Sequence, residues 1–280
     1  RCLCSTYLYS VCFLMIRRPA RSTQRRSSAA SDVYKRQGHG RSERPPSGYS
    51  VADSVADLGA ILDALDIDQV LCLGDIVGYN ANPNECTALI RERGIPTVCG
   101  NHDAVACGRE EPWGFNRIAL EAAIWTREAL TQENIEWLNA LPDAVQPNGV
   151  IGVHGAPGDR DSYMFTWEDV SPHFGDVSVK GRNACFFGHT HVPGIFESDG
   201  GWTPVNGTKF ILKDGPVTFI NPGSVGQPRD GDPRASFGVY DTIGREFSLV
   251  RVKYNVKAAM THIRNSGLPD YLADRLEVGR

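Results

Sequence analysis

Four short segments of this 280-residue chain each set a polar cluster behind an apolar run: QVLCL before Gly74-Asp75-Ile76-Val77-Gly78, PTVC before Gly100-Asn101-His102-Asp103, VIGV before His154-Gly155, and ACFF before Gly188-His189-Thr190-His191. Carboxylate, amide oxygen and imidazole together make a ligand set for a borderline or fairly hard divalent ion such as Mn²⁺, Fe²⁺, Zn²⁺ or Ni²⁺. No cysteine lies within these clusters' polar residues, which argues against a structural thiolate zinc site. Two such ions about 3.5–4 Å apart suit in-line displacement at phosphorus, because they bind phosphoryl oxygens and activate a water. A carboxylate such as Asp75 can bridge them, and a further histidine can protonate the departing oxygen.

The elements that must position these groups are short buried strands. In α/β sheets, ligand sites gather outside the carboxyl ends of strands, so four such ends would bring Asp75, Asn101, His102, His154, His189 and His191 to one crevice. His189 and His191, at i and i+2, face the same way if their segment is extended. Helices are expected over 51–66, 84–93, 117–130 and 132–138, with Thr131 as a cap between the last two. Strands are expected at 69–73, 96–99, 150–154 and 184–188, then in closer succession at 194–197, 208–212, 217–220, 236–240 and 246–252. Two closing helices cover 257–265 and 268–276. With no repeat and no linker, this is one α/β domain over 51–280, preceded by an irregular stretch at 38–50.

Composition and charge limit the partners. The longest apolar stretch is too short to span a bilayer. The net charge of −4 hides an asymmetry: residues 1–37 hold eight basic residues against one acidic, leaving 21 basic against 32 acidic beyond them. A body this acidic has no general attraction for nucleic acid or anionic lipid. With nucleic acid disfavoured, the chemistry at phosphorus that the polar clusters suit points to a small phosphorylated substrate, such as a nucleotide. Outside residues 1–37 five cysteines remain, Cys72, Cys86, Cys99, Cys107 and Cys185, an odd number with no CxxC pair. Free thiols in a reducing, cytoplasmic compartment are expected.

Residues 1–37 read differently from the rest. The stretch Ser27–Gln37, SSAASDVYKRQ, is similar to the in-frame translation of a transposase adapter used in sequencing libraries. The segment is therefore expected to be non-native and disordered, and is set aside from the fold.

The series GDIVG, GNHD, VHG and GHTH, in that order, resembles the calcineurin-like metallophosphoesterase superfamily. GDIVGYNANPNEC and NPGSVGQPRDGDPRASF are similar to its bacterial phosphodiesterase or diadenosine-tetraphosphatase-like branch. The resemblance implies a four-layer αββα sandwich of two mixed β-sheets flanked by helices, and two divalent metal ions, Mn²⁺ foremost. It implies that Asp75 bridges the metals, that Asn101, His154 and His189 complete one site, and that His191 binds the other. It gives His102 the role of stabilising the transition state or protonating the leaving oxygen, with Asp103 orienting its ring. Arg229 is assigned to a substrate phosphate.

One motif of that pattern has no counterpart. The family opens with a strand ending in D-x-H, and alignment of the helix at 55–65 sets Ser50 and Ala52 at those positions. The first strand is expected to be missing, the true N-terminus lost, and one metal left with only Asp75 and His191. The resulting expectation is a hydrolase of phosphoester or phosphoanhydride bonds impaired by this loss. A non-catalytic nucleotide-binding or regulatory relative is the alternative.

Overall fold

The computed structural model describes residues 13–17, 67–179, 183–203 and 209–280. The helix expected at 51–66 and the irregular stretch at 38–50 lie outside the described residues.

Two sheets carry the architecture. The first, of five strands, runs β2 (Ile67–Cys72), β1 (Phe13–Arg17), β10 (Ala235–Asp241), β11 (Glu246–Val252) and β8 (Lys209–Ile211). The second, of six, runs β3 (Ala144–Val145), β4 (Ile151–Val153), β5 (Ala184–Phe186), β9 (Thr218–Asn221), β6 (Gly194–Glu197) and β7 (Gly201–Thr203). β4, β5 and β9 are mutually parallel, whereas β6 runs antiparallel to β9.

The period-2 alternation of strand side chains sorts the apolar residues into layers. Leu14, Ile16, Leu71 and Tyr240 from the first sheet meet Val150, Ala184, Phe186 and Ile220 from the second in the core between sheets. On the outer face of the first sheet, Phe13, Met15, Val70, Cys72 and Val239 pack under helices α1 (Pro83–Glu92), α2 (Asn101–Ala106), α3 (Arg117–Ala129), α4 (Gln132–Asn139), α7 (Val256–Asn265) and α8 (Asp270–Val278). On the outer face of the second, Ile151, Val153, Cys185 and Phe219 pack under α5 (Trp167–Val170) and α6 (Phe174–Val179). Helix, sheet, sheet, helix: this is the expected four-layer sandwich.

Local signals account for the helix ends. Thr131 accepts from the Asn134 backbone N–H and Asn116 from that of Ala119, each satisfying a donor with no partner inside its helix. The strand expected at 96–99 is reduced to a single bridge between Thr97 and Cys72. Pro96 has no N–H to give a ladder, and the Cys99 N–H turns away to the Pro142 carbonyl.

One strand of the first sheet comes from outside residues 51–280. Its slot between β2 and β10 is filled, by Phe13–Arg17 from the segment that the sequence set aside as non-native and disordered. Four consecutive buried apolar residues, Phe13 to Ile16, satisfy both faces of a central strand position. β1 runs antiparallel to β2, with Phe13 opposite Cys72. The amino end of β1 therefore lies beside the carboxyl end of β2, and Arg17 lies at the far end. Residues 1–12, which precede that amino end, contain neither Asp nor His, so the slot is occupied without a D-x-H.

Cys72, Cys86, Cys99 and Cys185 are buried, and Cys107 is half-buried. Among the described residues, no helix is long and apolar enough to cross a membrane.

Candidate metal centre

β2 ends at Cys72 and the chain turns at Gly74 and Asp75, both left-handed with φ of 88° and 55°. A left-handed aspartate costs about 1–3 kcal/mol unless its surroundings impose it. Gly100 imposes it: a Cβ there would sit 2.2 Å from Asp75 Oδ1 and 2.3 Å from Asp75 N, so only a glycine allows the β2 turn to close on the start of α2. The His102 N–H then donates to Asp75 Oδ1 at 3.1 Å, anchoring the carboxylate from the neighbouring segment.

The imidazoles arrive from the second sheet. His154 follows β4, and its Nδ1 donates to the Leu73 carbonyl at 2.7 Å. His189 and His191 follow β5. The extended geometry expected for them is not what the chain adopts, since both are left-handed, with φ of 61° and 59°. That turn sends His189 Nε2 to the Asp161 carbonyl at 3.2 Å, and His191 Nδ1 to the Gln227 carbonyl at 2.7 Å. Three left-handed residues that are not glycine, all among the expected ligands, mark strain concentrated at a working site.

With one nitrogen of each ring committed as a donor to a carbonyl, the other carries a lone pair. His154 Nε2 then faces His189 Nδ1 at 3.2 Å, Asn101 Oδ1 at 3.2 Å and Asp75 Oδ1 at 3.4 Å. All are acceptors, and all are buried. Such a gathering repels itself without a cation, and carbonyl anchoring of the distal nitrogen is how ligating histidines are ordinarily held. Asp75, His154 and His189 offer ligand atoms that all lie within 4.8 Å of one another. The residues present therefore fit a divalent ion. The second Asp75 oxygen, Oδ2, faces His191 Nε2 at 3.9 Å, so the carboxylate points one oxygen at each of two donor groups. One group has four members, Asp75, Asn101, His154 and His189; the other has two, Asp75 and His191.

Burial sets the protonation states. It lowers His154 to about 4 and His189 to about 3, and holds His102 and His191 well below the ordinary histidine value, so all four rings are neutral near pH 7. Burial also pushes the Asp75 carboxyl upward, against the pull of the His102 N–H and the Arg229 charge. A bound cation would reverse that.

His102 and Asp103 depart from the expected pairing. The Asp103 oxygens accept the Val77 and Gly100 backbone N–H groups at 3.1 and 2.9 Å, and His102 Nδ1 has no hydrogen-bond partner. Asp103 thus braces the loop and the start of α2 rather than orienting the ring. The His102 ring is held instead between Tyr79 and Phe115, with centroids 4.2 and 4.8 Å away. Arg229 does reach the centre. Its guanidinium lies 5.5 Å from the Tyr79 ring, donates to Gln227 Oε1, and its charge acts on Asp75, His102 and His191.

Sequence reasoning missed Tyr163, whose ring lies 3.9 Å from that of His189, and the Leu73, Asp161 and Gln227 carbonyls that fix the ligands. The Asp-rich GDRDSY segment behind His154-Gly155 was the available signal for the first. Carbonyl anchors leave none, because any residue type supplies one. Two openings border the centre. One of about 170 Å³ is lined by His154, Arg160 and the acids Glu110, Asp143, Asp159 and Asp161. The other, of about 410 Å³, includes Tyr79, Tyr163 and Arg229.

Comparison with known proteins agrees with this geometry. Residues 51–245 match the model of the calcineurin-like phosphoesterase superfamily domain. The chain is 36% identical over 240 residues to an uncharacterized protein of Methanocaldococcus jannaschii, covering 81% of this chain and 97% of that one. It superposes on the crystal structure of a metallophosphoesterase from Sphaerobacter thermophilus with a TM-score of 0.70 and 30% identity, over 96% of this chain and all of the other. A hypothetical protein from Pyrococcus horikoshii shares the fold, with a TM-score of 0.61 and 15% identity over 96% and 98% of the two chains.

Proposed function

Because this chain belongs to the calcineurin-like phosphoesterase superfamily, we propose that it is a metal-dependent hydrolase of phosphoester or phosphoanhydride bonds with a small phosphorylated substrate. The observation that carries the reading is the buried set Asp75, Asn101, His154 and His189, turned toward one another while both imidazole rings donate away to the Leu73 and Asp161 carbonyls. Asp75 Oδ2 and His191 form the start of a second position. Divalent cations there, Mn²⁺ foremost, would supply Lewis acidity toward a phosphoryl oxygen and a water acidic enough to attack phosphorus.

The chain's own groups do the rest. Arg229 offers a half-buried guanidinium to a phosphoryl oxygen. His102 is neutral and wedged between two aromatic rings, with Nδ1 uncommitted. A phosphate dianion beside it raises its affinity for a proton, which it then delivers to the leaving oxygen. Burial of the centre strengthens each of these charges. The acidic balance beyond residue 37 favours a small substrate over nucleic acid. An odd number of cysteines beyond residue 37, with no CxxC pair, suits a reducing cytoplasm.

The two-donor position beside His191 favours a second reading, a nucleotide-binding or regulatory relative that retains one ion and turns nothing over. Hydrolysis of bis-p-nitrophenyl phosphate with added Mn²⁺ decides between them. We expect slow, chelator-sensitive turnover that His154→Ala abolishes. Tight Mn²⁺ binding with no turnover at all would establish the second reading instead.

A further inference from the structure

The larger opening beside the metal centre has a chemistry of its own. Arg229 and Arg275 both lie against the Tyr79 ring, with guanidinium carbons 5.5 and 5.9 Å from its centroid. Both are half-buried, and burial first, then the Arg229 charge, lowers Arg275 below the usual arginine range. Arg275 Nε donates to the main-chain oxygen of Arg280 and Arg229 to Gln227 Oε1, and among the described residues neither guanidinium pairs with a side-chain carboxylate. Most other arginines among the described residues are paired with a carboxylate, including Arg160 with Asp143 and Arg234 with Asp232. Two like charges half-buried beside one cavity, with no side-chain carboxylate on either, favour an anion within reach of both. The amino end of α3, with Asn116 as its cap, borders the same cavity and adds the positive end of a helix dipole.

Flat rings complete the lining. Tyr163 and Tyr271 are both about half exposed, at 48% and 53%, and both border the cavity. Tyr163 also leans on His189, so the cavity is continuous with the metal ligands. Arg275 lies 5.5 Å from the Tyr271 ring, which keeps that ring and the cation together. Tyr271 and Arg275 are one turn apart on α8, beyond the residues 51–245 that match the family model. Two of the residues that line this cavity thus come from an element beyond that match, whereas Tyr79, Tyr163 and Arg229 lie within it.

We propose that α8 supplies a specificity subsite, in which Arg275, with Arg229, holds a second phosphoryl group of the substrate while Tyr271 and Tyr163 receive a flat ring. The proposal rests on the hydrolase reading for the position of the first phosphoryl group at the metals. The ligand chemistry is that of an organic diphosphate with an aromatic heterocycle: the guanidinium pair takes the charge, and a ring about the size of a purine fits beside the tyrosines in about 410 Å³.

Binding isolates the subsite from turnover. Titration calorimetry of the full chain in a chelator would use three probes: ADP, pyrophosphate and adenosine. The subsite predicts ADP tightest, with pyrophosphate next. Arg275→Gln should weaken ADP and pyrophosphate about ten-fold each and leave adenosine unchanged. Tyr271→Ala, an exposed side chain whose loss does not threaten the fold, should weaken ADP several-fold and leave pyrophosphate unchanged. ADP affinity equal in wild type and both variants overturns the proposal, as does ADP binding that requires added Mn²⁺. The hydrolase reading fails separately: no metal-dependent cleavage of bis-p-nitrophenyl phosphate, with the Arg275 effect on ADP intact, sinks that reading and leaves the subsite standing.

Discussion

His154 Nε2 and His189 Nδ1 approach to 3.2 Å, although each ring already donates its only proton elsewhere, to the Leu73 and Asp161 carbonyls. Two lone pairs aimed at each other are stable only with a positive charge between them. Added Mn²⁺ should therefore stabilise the fold by about 2.7 kcal/mol at a hundred-fold excess over Kd. His189→Ala should lower the affinity by roughly 100-fold or more while removing the repulsion from the metal-free protein. Thermal melts with and without chelator check both. An unchanged melting temperature in wild type would remove the metal centre from consideration.

The cluster was legible because each ligand follows an apolar strand within a few residues, and the turn glycines stand in the same short segments. Gly74-Asp75, Gly100-Asn101, His154 and Gly188-His189 could be placed without knowing what the strands pair with. Asp103 was different. Its sequence position beside His102 suggested contact between the two side chains, but on a helix adjacent residues point apart. The Asp103 carboxylate instead meets Val77, 26 residues away. Arg275 and Tyr163 were equally hidden, because only the packing of α8 and of the loop after β4 brings them near the ligands. The direction of β1 depended wholly on non-local pairing and had no local signature.

Proton release should accompany metal binding. Burial raises the Asp75 carboxyl well above an ordinary aspartate, so in the metal-free protein it still holds a proton at mildly acidic pH. A cation must displace that proton, so apparent affinity rises with pH until Asp75 is ionised. His154 and His189, lowered to about 4 and about 3, are already neutral at pH 6 and release nothing. Calorimetry at pH 6 in two buffers of different ionisation enthalpy should count about one proton per first ion bound. A count of zero would mean that Asp75 is not the group displaced.

Gly100→Ala should destroy the centre from a distance of one methyl group. Its Cβ would meet Asp75 Oδ1 and Asp75 N at 2.2 and 2.3 Å, and backbone cannot yield as a flexible side chain can. Several kcal/mol of stability and nearly all Mn²⁺ affinity should disappear. Gly94→Ala is the control. Gly94 is also left-handed, with φ of 59°, but a Cβ there meets nothing within 4 Å. Only the local conformational cost, about 1–2 kcal/mol, should register, with metal binding unchanged.

Asp103→Ala tests whether this carboxylate braces backbone or serves the His102 ring. Removing it strands the buried Val77 and Gly100 N–H groups, at about 1–3 kcal/mol each. Urea unfolding should show a loss of about 2–5 kcal/mol, with weakened Mn²⁺ binding as the Asp75 loop loosens. Full stability with only turnover reduced would instead return Asp103 to the ring-orienting role.

Leu14 decides how firmly Phe13–Arg17 belongs to the sheet. The residue is fully buried between the sheets in one cluster with Phe186, Tyr240 and Phe247, and it pairs with Leu71 on one side and Gly238 on the other. A leucine in such a position loses about 2–5 kcal/mol on truncation to alanine, because the surrounding side chains close the cavity only in part. A residue of a solvated, unattached segment would lose at most about 0.5 kcal/mol. The two outcomes do not overlap, so urea unfolding of Leu14→Ala separates them cleanly. Hydrogen exchange supplies the companion reading, since the amides of a strand bonded on both sides open only with large-scale unfolding. We expect Leu14 and Ile16 to be protected like β10, and Leu14→Ala to cost at least 2 kcal/mol. Fast exchange together with a neutral substitution would show that β1 does not hold the slot between β2 and β10.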